Sequence, residues 1–195
     1  MDRDAESLEA LTQGLAPAQR ALVRDYVEYL LAFQKEAEEP APPGDLGPEA
    51  EVSLREITAE TVWTICRLSD TLTPPKNMVA PNAMSIAEAR FEEHAWFRAI
   101  YADDTPVGFV MLYDDPDEHE YFLWRLMVAK PHHGKGFGRR GMEQVIDYVR
   151  TRPGATVLET SCGQGAGSPE GFYRALGFRR NGKMIGREVG LSLTL

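Results

Sequence analysis

Hydrophobic and polar positions over residues 51–195 fall into short blocks whose period changes repeatedly. Blocks of period two bounded by turn residues predict strands, and blocks with apolar residues at i, i+3, i+4 and i+7 predict helices. The predicted order is β, α, α, β, β, β, α, β, α, β, β. The seven predicted strands are "EVSLREI", "AWFRAIYADD", "PVGFVMLYDD", "YFLWRLMVA", "ATVLETS", "FRRNGKMI" and "REVGLSLTL". The fold class is therefore α/β (α+β), a mixed sheet with helices on its faces.

The pattern before residue 51 is different. Apolar residues recur at helical spacing between Leu22 and Phe33, and the Pro/Gly-rich stretch "EEPAPPGDLGPEAE" then interrupts any regular structure. We predict an N-terminal helical extension over residues 1–38, a linker over 39–50 and one main domain over 51–195. The apolar stripe of the extension must pack on the main domain or on a second chain, so a homodimer is one arrangement open to it.

Composition narrows the class of protein. The chain has 195 residues, 43% of them hydrophobic and 26% charged, which is typical of a globular domain, and its net charge of -9 argues against a general affinity for nucleic acid. Cys66 and Cys162 lie too far apart for a metal motif, so no metal is expected. The acidic N-terminus and the absence of a long apolar run argue against secretion and membrane insertion. We therefore expect a cytoplasmic protein.

The stretch "HHGKGFGRRG" at residues 132–141 combines glycines and cations directly after a predicted strand and before a predicted helix. Backbone N–H groups at such a helix N-terminus bind anions, and glycines let phosphates approach them. The alternative is a tight turn with a solvated basic helix start. Gly136, Gly138 and Gly141 match the dinucleotide pattern G-x-G-x-x-G, but too few βα units follow for that fold. His132 is expected to face solvent.

The segments "LMVAKPHHGKGFGRRGMEQVIDYV" and "GFYRALGF" together resemble the GNAT superfamily of acetyl-coenzyme A-dependent N-acetyltransferases. The resemblance covers roughly residues 51–195 and implies a mainly antiparallel central sheet. It implies that acetyl-CoA is the cosubstrate and that Leu126, Met127 and Val128 offer main-chain groups to its pantetheine. The pyrophosphate would be bound by a loop in which His133 replaces the usual Gln or Arg. That loop comprises His133, Gly134, Lys135, Gly136, Phe137, Gly138 and Arg139.

The same resemblance assigns the proton transfers. Tyr173 occupies the position of the tyrosine that protonates the departing thiolate. Many family members carry a glutamate base where this chain has Trp124. Glu120 and Glu118 have the same parity as Trp124 on an extended strand. Glu120 is predicted as the base, acting through a water, with Glu118 and Glu159 on the adjacent strand as alternatives.

Within the superfamily, "YFLWRLMVAKPHHGKGFG" looks most like the bacterial spermine/spermidine N-acetyltransferases, which implies a polyamine acceptor. A cluster of carboxylates that would attract a polycation agrees with this: Asp114, Asp115, Asp117, Glu118 and Glu120. Another small amine and a peptide or protein amine stay open as acceptors. A CoA-binding regulatory domain that has lost catalysis is the alternative of another class.

Overall fold

The computed structural model describes residues 46–72 and 79–195, together with residues 14, 16, 17 and 20. The chain divides into two compact units, Met1–Gly44 and Asp45–Leu195, and the first is described at those four positions only. Apart from those four positions, the predicted helical extension over residues 1–38 and the predicted linker up to residue 45 lie outside the described residues, and both stay predictions. The fold reported below is that of the second unit.

Seven strands form one sheet in the described part of the chain, in the sequence order that was predicted. They are β1 Val52–Arg55, β2 Ala95–Ala102, β3 Thr105–Asp115, β4 Glu120–Val128, β5 Val157–Cys162, β6 Arg179–Ile185 and β7 Glu188–Thr194. Their spatial order is β1-β2-β3-β4-β5-β7-β6. β4 and β5 are parallel, and every other neighbouring pair is antiparallel. The prediction of a mixed, mainly antiparallel sheet is confirmed.

Helices cover both faces of this sheet. The described helices are α1 Val62–Leu68, α2 Asn82–Ala89, α3 Phe137–Arg150 and α4 Glu170–Ala175, with 3-10 turns at Ser69–Thr71 and Lys130–His132. One core cluster joins the sheet to the apolar stripe of α3 and includes Phe137, Met142, Val145 and Val149. A second cluster lies on the other face and joins Ile65 of α1 to Phe109, Met111 and Met127 of the sheet.

The boundaries of α2 differ from the prediction, which assigned a helix to "SIAEARFEEH". The helix begins three residues earlier, at Asn82, and ends at Ala89. Asn82 is fully buried, and its side-chain amide donates a hydrogen bond of 2.7 Å to the carbonyl of Ile65. This bond ties α2 to α1. An asparagine beside a proline is typical of a loop, so the sequence pattern did not predict a helix there. The partner that buries Asn82 lies 17 positions away in the chain and is not visible in the local pattern.

A polar cluster closes the sheet at the turn between β3 and β4. Asp114 is buried and accepts hydrogen bonds from the Tyr148 hydroxyl at 2.6 Å and from Arg152 Nε at 2.9 Å. Burial, with the hydrogen bond to Asp114 second, raises the pKa of Tyr148 to about 12. The Trp96 ring stacks on Tyr148 with centroids 4.4 Å apart. These contacts fasten α3 to the β3 end of the sheet, opposite the end at which β4 reaches Val128.

We expect Gly108→Ala to destabilise the fold. Gly108 lies opposite Val128 in the β3–β4 pair, and a Cβ there would be 2.4 Å from the main-chain oxygen of Met127. Because backbone must shift, the free energy of unfolding should fall by about 1–3 kcal/mol. The melting temperature should fall by roughly 2–4 °C per kcal/mol, as measured by circular dichroism.

Gly171→Ala in α4 is the matched control, since a Cβ there meets no atom within 4 Å. Alanine favours helix over glycine, so this variant should melt at the wild-type temperature or slightly above it. A Gly108→Ala protein that melts with the wild type would contradict the close approach of the two strands.

Candidate active site

The parallel strands β4 and β5 pair over two residues only, Phe122 with Glu159 and Leu123 with Thr160. The Thr160 hydroxyl donates a hydrogen bond of 3.0 Å to the Leu123 carbonyl and closes the paired part. Beyond Leu123, β4 continues to Val128 without β5 beside it. The main-chain groups on this edge of β4 therefore face a cleft and need partners from outside the sheet.

A β-bulge accompanies this separation. Leu112 of β3 lies opposite Leu123, whereas the next residue, Met111, lies opposite Arg125. Trp124 is thus an extra residue in β4. Bulges bend a strand and increase its twist, so this one accounts for the divergence of β4 from β5.

The cleft between the diverging strands has a volume of about 1690 Å³. Its walls come mainly from β4, β5, the glycine loop and the start of α4, and Ile185 and Glu188 at the β6–β7 turn add to them. They include nine of the ten residues predicted to bind the cofactor, namely Leu126, Met127, Val128, His133, Gly134, Gly136, Phe137, Gly138 and Arg139. Lys135, the tenth, is not among the lining residues.

The glycine loop leaves room for a ligand. Gly134 and Gly136 have φ of 78° and 81°, in the left-handed region that favours glycine, and a Cβ on either would meet no atom within 4 Å. Gly136 precedes the first turn of α3, and no side chain caps that helix. The first N–H groups of α3 are thus available to an anion, with the positive end of the helix dipole behind them.

The two histidines before the loop have structural contacts. His133 Nε2 lies 2.7 Å from the Val128 carbonyl oxygen, to which it donates when it carries the hydrogen. The prediction that His132 faces solvent is wrong, because the 3-10 turn folds its ring under Phe137, with centroids 6.2 Å apart. Burial, assisted by the charge of Lys135, lowers the pKa of His132, which keeps its ring neutral at pH 7.

Tyr173 lies on α4 at the paired end of the cleft. Its side chain is 6% exposed and is held between Phe172 and Phe178, with ring centroids 5.4 and 5.6 Å away. Burial raises the pKa of Tyr173 to about 12, while its contact with Thr160 acts in the opposite direction. The phenol is therefore protonated at neutral pH and is a hydrogen donor beside the point where β4 and β5 separate.

Glu120 does not lie with Tyr173. It is the first residue of β4, opposite Asp115, where it is exposed and outside the cleft lining. Glu118 is likewise exposed in the adjoining turn. Glu159 is engaged by Lys183, whose Nζ lies 2.8 Å from it. The role of Glu120 as the base stays a prediction, and an acceptor in the cleft would meet it only through an intervening chain of water.

Sequence reasoning missed Glu188, which lines the cleft from the start of β7. The Ser161 hydroxyl donates a hydrogen bond of 2.5 Å to its carboxylate. The last strand of the chain is inserted between β5 and β6, which brings Glu188 beside the cleft. The available signal was a carboxylate near the start of the predicted strand "REVGLSLTL". The insertion of that strand between two others cannot be predicted from periodicity.

Residues 62–178 match the model of the acetyltransferase (GNAT) family. The chain belongs to this family. Membership makes the protein an acetyl-CoA-dependent N-acetyltransferase and confirms the superfamily resemblance and the cosubstrate class. No curated protein shows significant similarity to the chain in sequence.

Solved structures share the acetyltransferase fold. An acetyltransferase from Thermus thermophilus aligns with a TM-score of 0.59 at 19% identity, over 74% of this chain and 97% of its own. PaiA N-acetyltransferase from Thermoplasma acidophilum, solved with coenzyme A, aligns with a TM-score of 0.57 at 16% identity, over 74% and 99%. Arabidopsis thaliana Naa50, solved with the bisubstrate analogue CoA-Ac-MVNAL, aligns with a TM-score of 0.55 at 18% identity, over 74% of this chain and 99% of its own.

Two further findings concern the described residues. No helix among them is long and apolar enough to cross a membrane. No group of three or more His, Cys, Asp or Glu side chains within the described ranges is arranged to hold a metal ion.

We expect Gly136→Asp to weaken acetyl-CoA binding at least tenfold. The substitution would introduce a side chain and a negative charge into the open space at the start of α3, and would strain a backbone with φ of 81°. Isothermal titration calorimetry on the folded variant measures the change in Kd.

Gly182→Asp is the matched control for this substitution. Gly182 has the same φ of 81° and the same open space, but it lies in β6 outside the cleft. It should therefore show the backbone cost alone, with the Kd for acetyl-CoA unchanged. Equal loss of affinity in both variants would remove the glycine loop from the binding site.

Proposed function

We propose that the protein transfers the acetyl group of acetyl-CoA to a primary amine that attacks the thioester directly. One observation carries this proposal: the cleft opens where β4 leaves β5, with the glycine loop on one side and the Tyr173 hydroxyl at the paired end. An anion-binding loop and a proton donor thus border one continuous space. Amine acylation by a thioester needs both, because the thioester is carried by a pyrophosphate-containing group and a thiolate must leave.

Residues of the cleft fit acetyl-CoA. The free edge of β4 at Leu126 and Met127 would bind the amide groups of pantetheine, as a missing strand would. The Val128 carbonyl already accepts from His133, so Val128 would contribute through its N–H or its side chain. Gly134, Gly136 and the first turn of α3 would bind the pyrophosphate. When bound, acetyl-CoA supplies the activated acetyl group.

Tyr173 would give a proton to the departing thiolate. A pKa of about 12 keeps the phenol protonated across the working pH range. Its position between two aromatic rings limits its motion, which favours a donor of fixed geometry. Thr160 lies beside it and is itself fixed by its bond to Leu123.

We expect Tyr173→Phe to lower turnover about 10- to 1000-fold, because the ring stays and the donated proton is lost. Affinity for acetyl-CoA should change little. Steady-state thiol release and calorimetry measure the two quantities.

Tyr113→Phe is the control, since it removes a hydroxyl that donates to Asp115, outside the cleft. This variant should keep wild-type turnover. Wild-type turnover in Tyr173→Phe as well would assign the leaving-group proton to another donor.

A polyamine is the first candidate acceptor, supported by the resemblance of the β4 and loop segment. Fewer carboxylates can attract a polycation than the sequence indicated, because Asp114 and Asp115 are buried and have hydrogen-bond partners. Asp115 accepts the N–H groups of Asp117 and Glu118, each at 3.0 Å, and these bonds contribute to lowering its pKa. Only the exposed members, Asp117, Glu118 and Glu120, remain to attract a polycation.

A peptide or protein amine is the second candidate. The structural neighbour Naa50 was solved with an analogue that joins coenzyme A to a peptide, and that neighbour shares this fold. A CoA-binding regulatory domain that has lost catalysis is the alternative of another class; Trp124 at the usual glutamate position favours it, and membership of the acetyltransferase family argues against it. Cytoplasmic localisation and a homodimer formed through the N-terminal helices stay predictions.

A panel of amines tests the acceptor class by thiol release. If polyamines are acetylated, spermidine should be preferred over a monoamine of similar size, and the preference should shrink as salt screens the carboxylates. Joint replacement of Glu118 and Glu120 by Gln should raise the KM for spermidine more than the KM for the monoamine.

Two outcomes would overturn the polyamine proposal. One is thiol release with another amine but with no polyamine. The other is a polyamine preference that neither salt nor the paired Gln substitutions alter. Release with no amine, by a protein that binds acetyl-CoA, would favour the regulatory domain.

A further inference from the structure

An amine acceptor must lose a proton before its nitrogen can attack. The pKa of an alkylamine is near 10, so only about one molecule in a thousand is neutral at pH 7. A carboxylate inside the cleft would bind the abundant ammonium form and remove its proton on the spot. The position usually occupied by a family glutamate holds Trp124 in this chain. The base must therefore be a residue at another position.

Glu188 is the only carboxylate among the described residues that line the cleft. It follows the tight β6–β7 turn at Gly186 and lies opposite Ile185, which also lines the cleft. The neighbouring pair, Cys162 with Val189, joins β7 to β5. The position of Glu188 is thus set by main-chain pairing on both sides of β7.

The carboxylate of Glu188 accepts a hydrogen bond but forms no ion pair within the described chain. Ser161 donates to its Oε2, and within the described chain no cation pairs with it and Oε1 has no hydrogen-bond partner. Other nearby carboxylates are engaged. Glu88 pairs with Arg125 at 3.0 Å, and Glu159 pairs with Lys183 at 2.8 Å. Glu188 retains a free oxygen for an incoming ammonium group.

Glu188 and Tyr173 both line the cleft. Burial is the main cause that raises the pKa of Tyr173, and the negative charge of Glu188 adds to it. The same carboxylate contributes, after burial, to the raised pKa of the Cys162 thiol. Both effects mean that Glu188 lies within electrostatic reach of the paired end of β4 and β5, where the phenol is.

We infer that Glu188 binds the ammonium group of the acceptor and takes its proton before attack. This inference rests on the proposed function. The neutral nitrogen then forms a bond to the acetyl carbon while the carbon–sulfur bond breaks. The thiolate takes the proton of Tyr173, and the nitrogen returns its second proton to the tyrosine through solvent. One proton remains on Glu188 and passes to water, so each turnover yields the amide, the thiol and one proton.

Glu188→Gln tests this role through the pH dependence of kcat/KM for an alkylamine. The wild type uses the ammonium form and should show a flat profile between about pH 7 and 9, below the amine pKa. The variant can use only the neutral form of the amine, whose fraction rises about tenfold per pH unit below the amine pKa. Its kcat/KM should therefore be at least about 100-fold lower at pH 7 and should rise about tenfold per pH unit. With an amine that is already neutral at pH 7, the two proteins should differ less than tenfold.

Three further proteins make the test decisive. Glu188→Asp keeps a carboxylate and should keep the flat profile at lower rate, which a purely structural role would not require. Glu51→Gln removes an exposed carboxylate outside the cleft and should behave as the wild type. Glu120→Gln examines the base predicted from sequence. Melting temperature and acetyl-CoA affinity, measured for each protein, separate loss of fold or of cofactor from loss of the base.

Several results would overturn the inference. They are a flat profile in Glu188→Gln, a loss equal at every pH and for both amines, or a tenfold rise per pH unit in Glu120→Gln alone. These leave amine acetylation by the wild type intact. Absence of amine-dependent thiol release in the wild type would instead overturn the proposed function and this role together.

Discussion

The separation of β4 from β5 is the constraint on which the rest of the cleft depends. Parallel strands that paired along their whole length would leave no unpaired main chain inside the sheet. Here pairing stops after Leu123, and the extra residue Trp124 turns β4 away. The cost of leaving main-chain groups without strand partners is acceptable only if a ligand or water satisfies them. The sheet thus lacks strand-to-strand hydrogen bonds at the point where the acetyl donor would bind.

The opposite end of the same sheet is closed by buried polar contacts. Asp114 joins Tyr148 and Arg152 to β3, and Asp115 satisfies the N–H groups of the β3–β4 turn. A buried carboxylate is stable only with such partners. These residues resemble a cation-binding surface in sequence, since charge alone does not distinguish a buried, paired carboxylate from a free one.

Sequence periodicity was enough to predict the seven strands and their chain order, because turn residues or a change of period separate one block from the next. The glycine loop could be predicted because close approach of an anion to backbone demands glycine, whereas Tyr173 was predicted only from the resemblance to the family, and its role stays a prediction. Three features could not be predicted. The bulge at Trp124 depends on register, the burial of His132 depends on Phe137, and the position of Glu188 depends on β7 entering between β5 and β6. Each of these is set by packing or pairing between elements, which the periodicity of one segment does not report.

The hydrogen bond between His133 and the Val128 carbonyl has a thermodynamic consequence. A loop rich in glycine has many conformations to lose, and ordering it on binding would reduce the affinity for any ligand. The ring of His133 joins the loop to the end of β4. Part of the entropy of ordering is therefore lost when the chain folds, and less remains to oppose the binding of the phosphates.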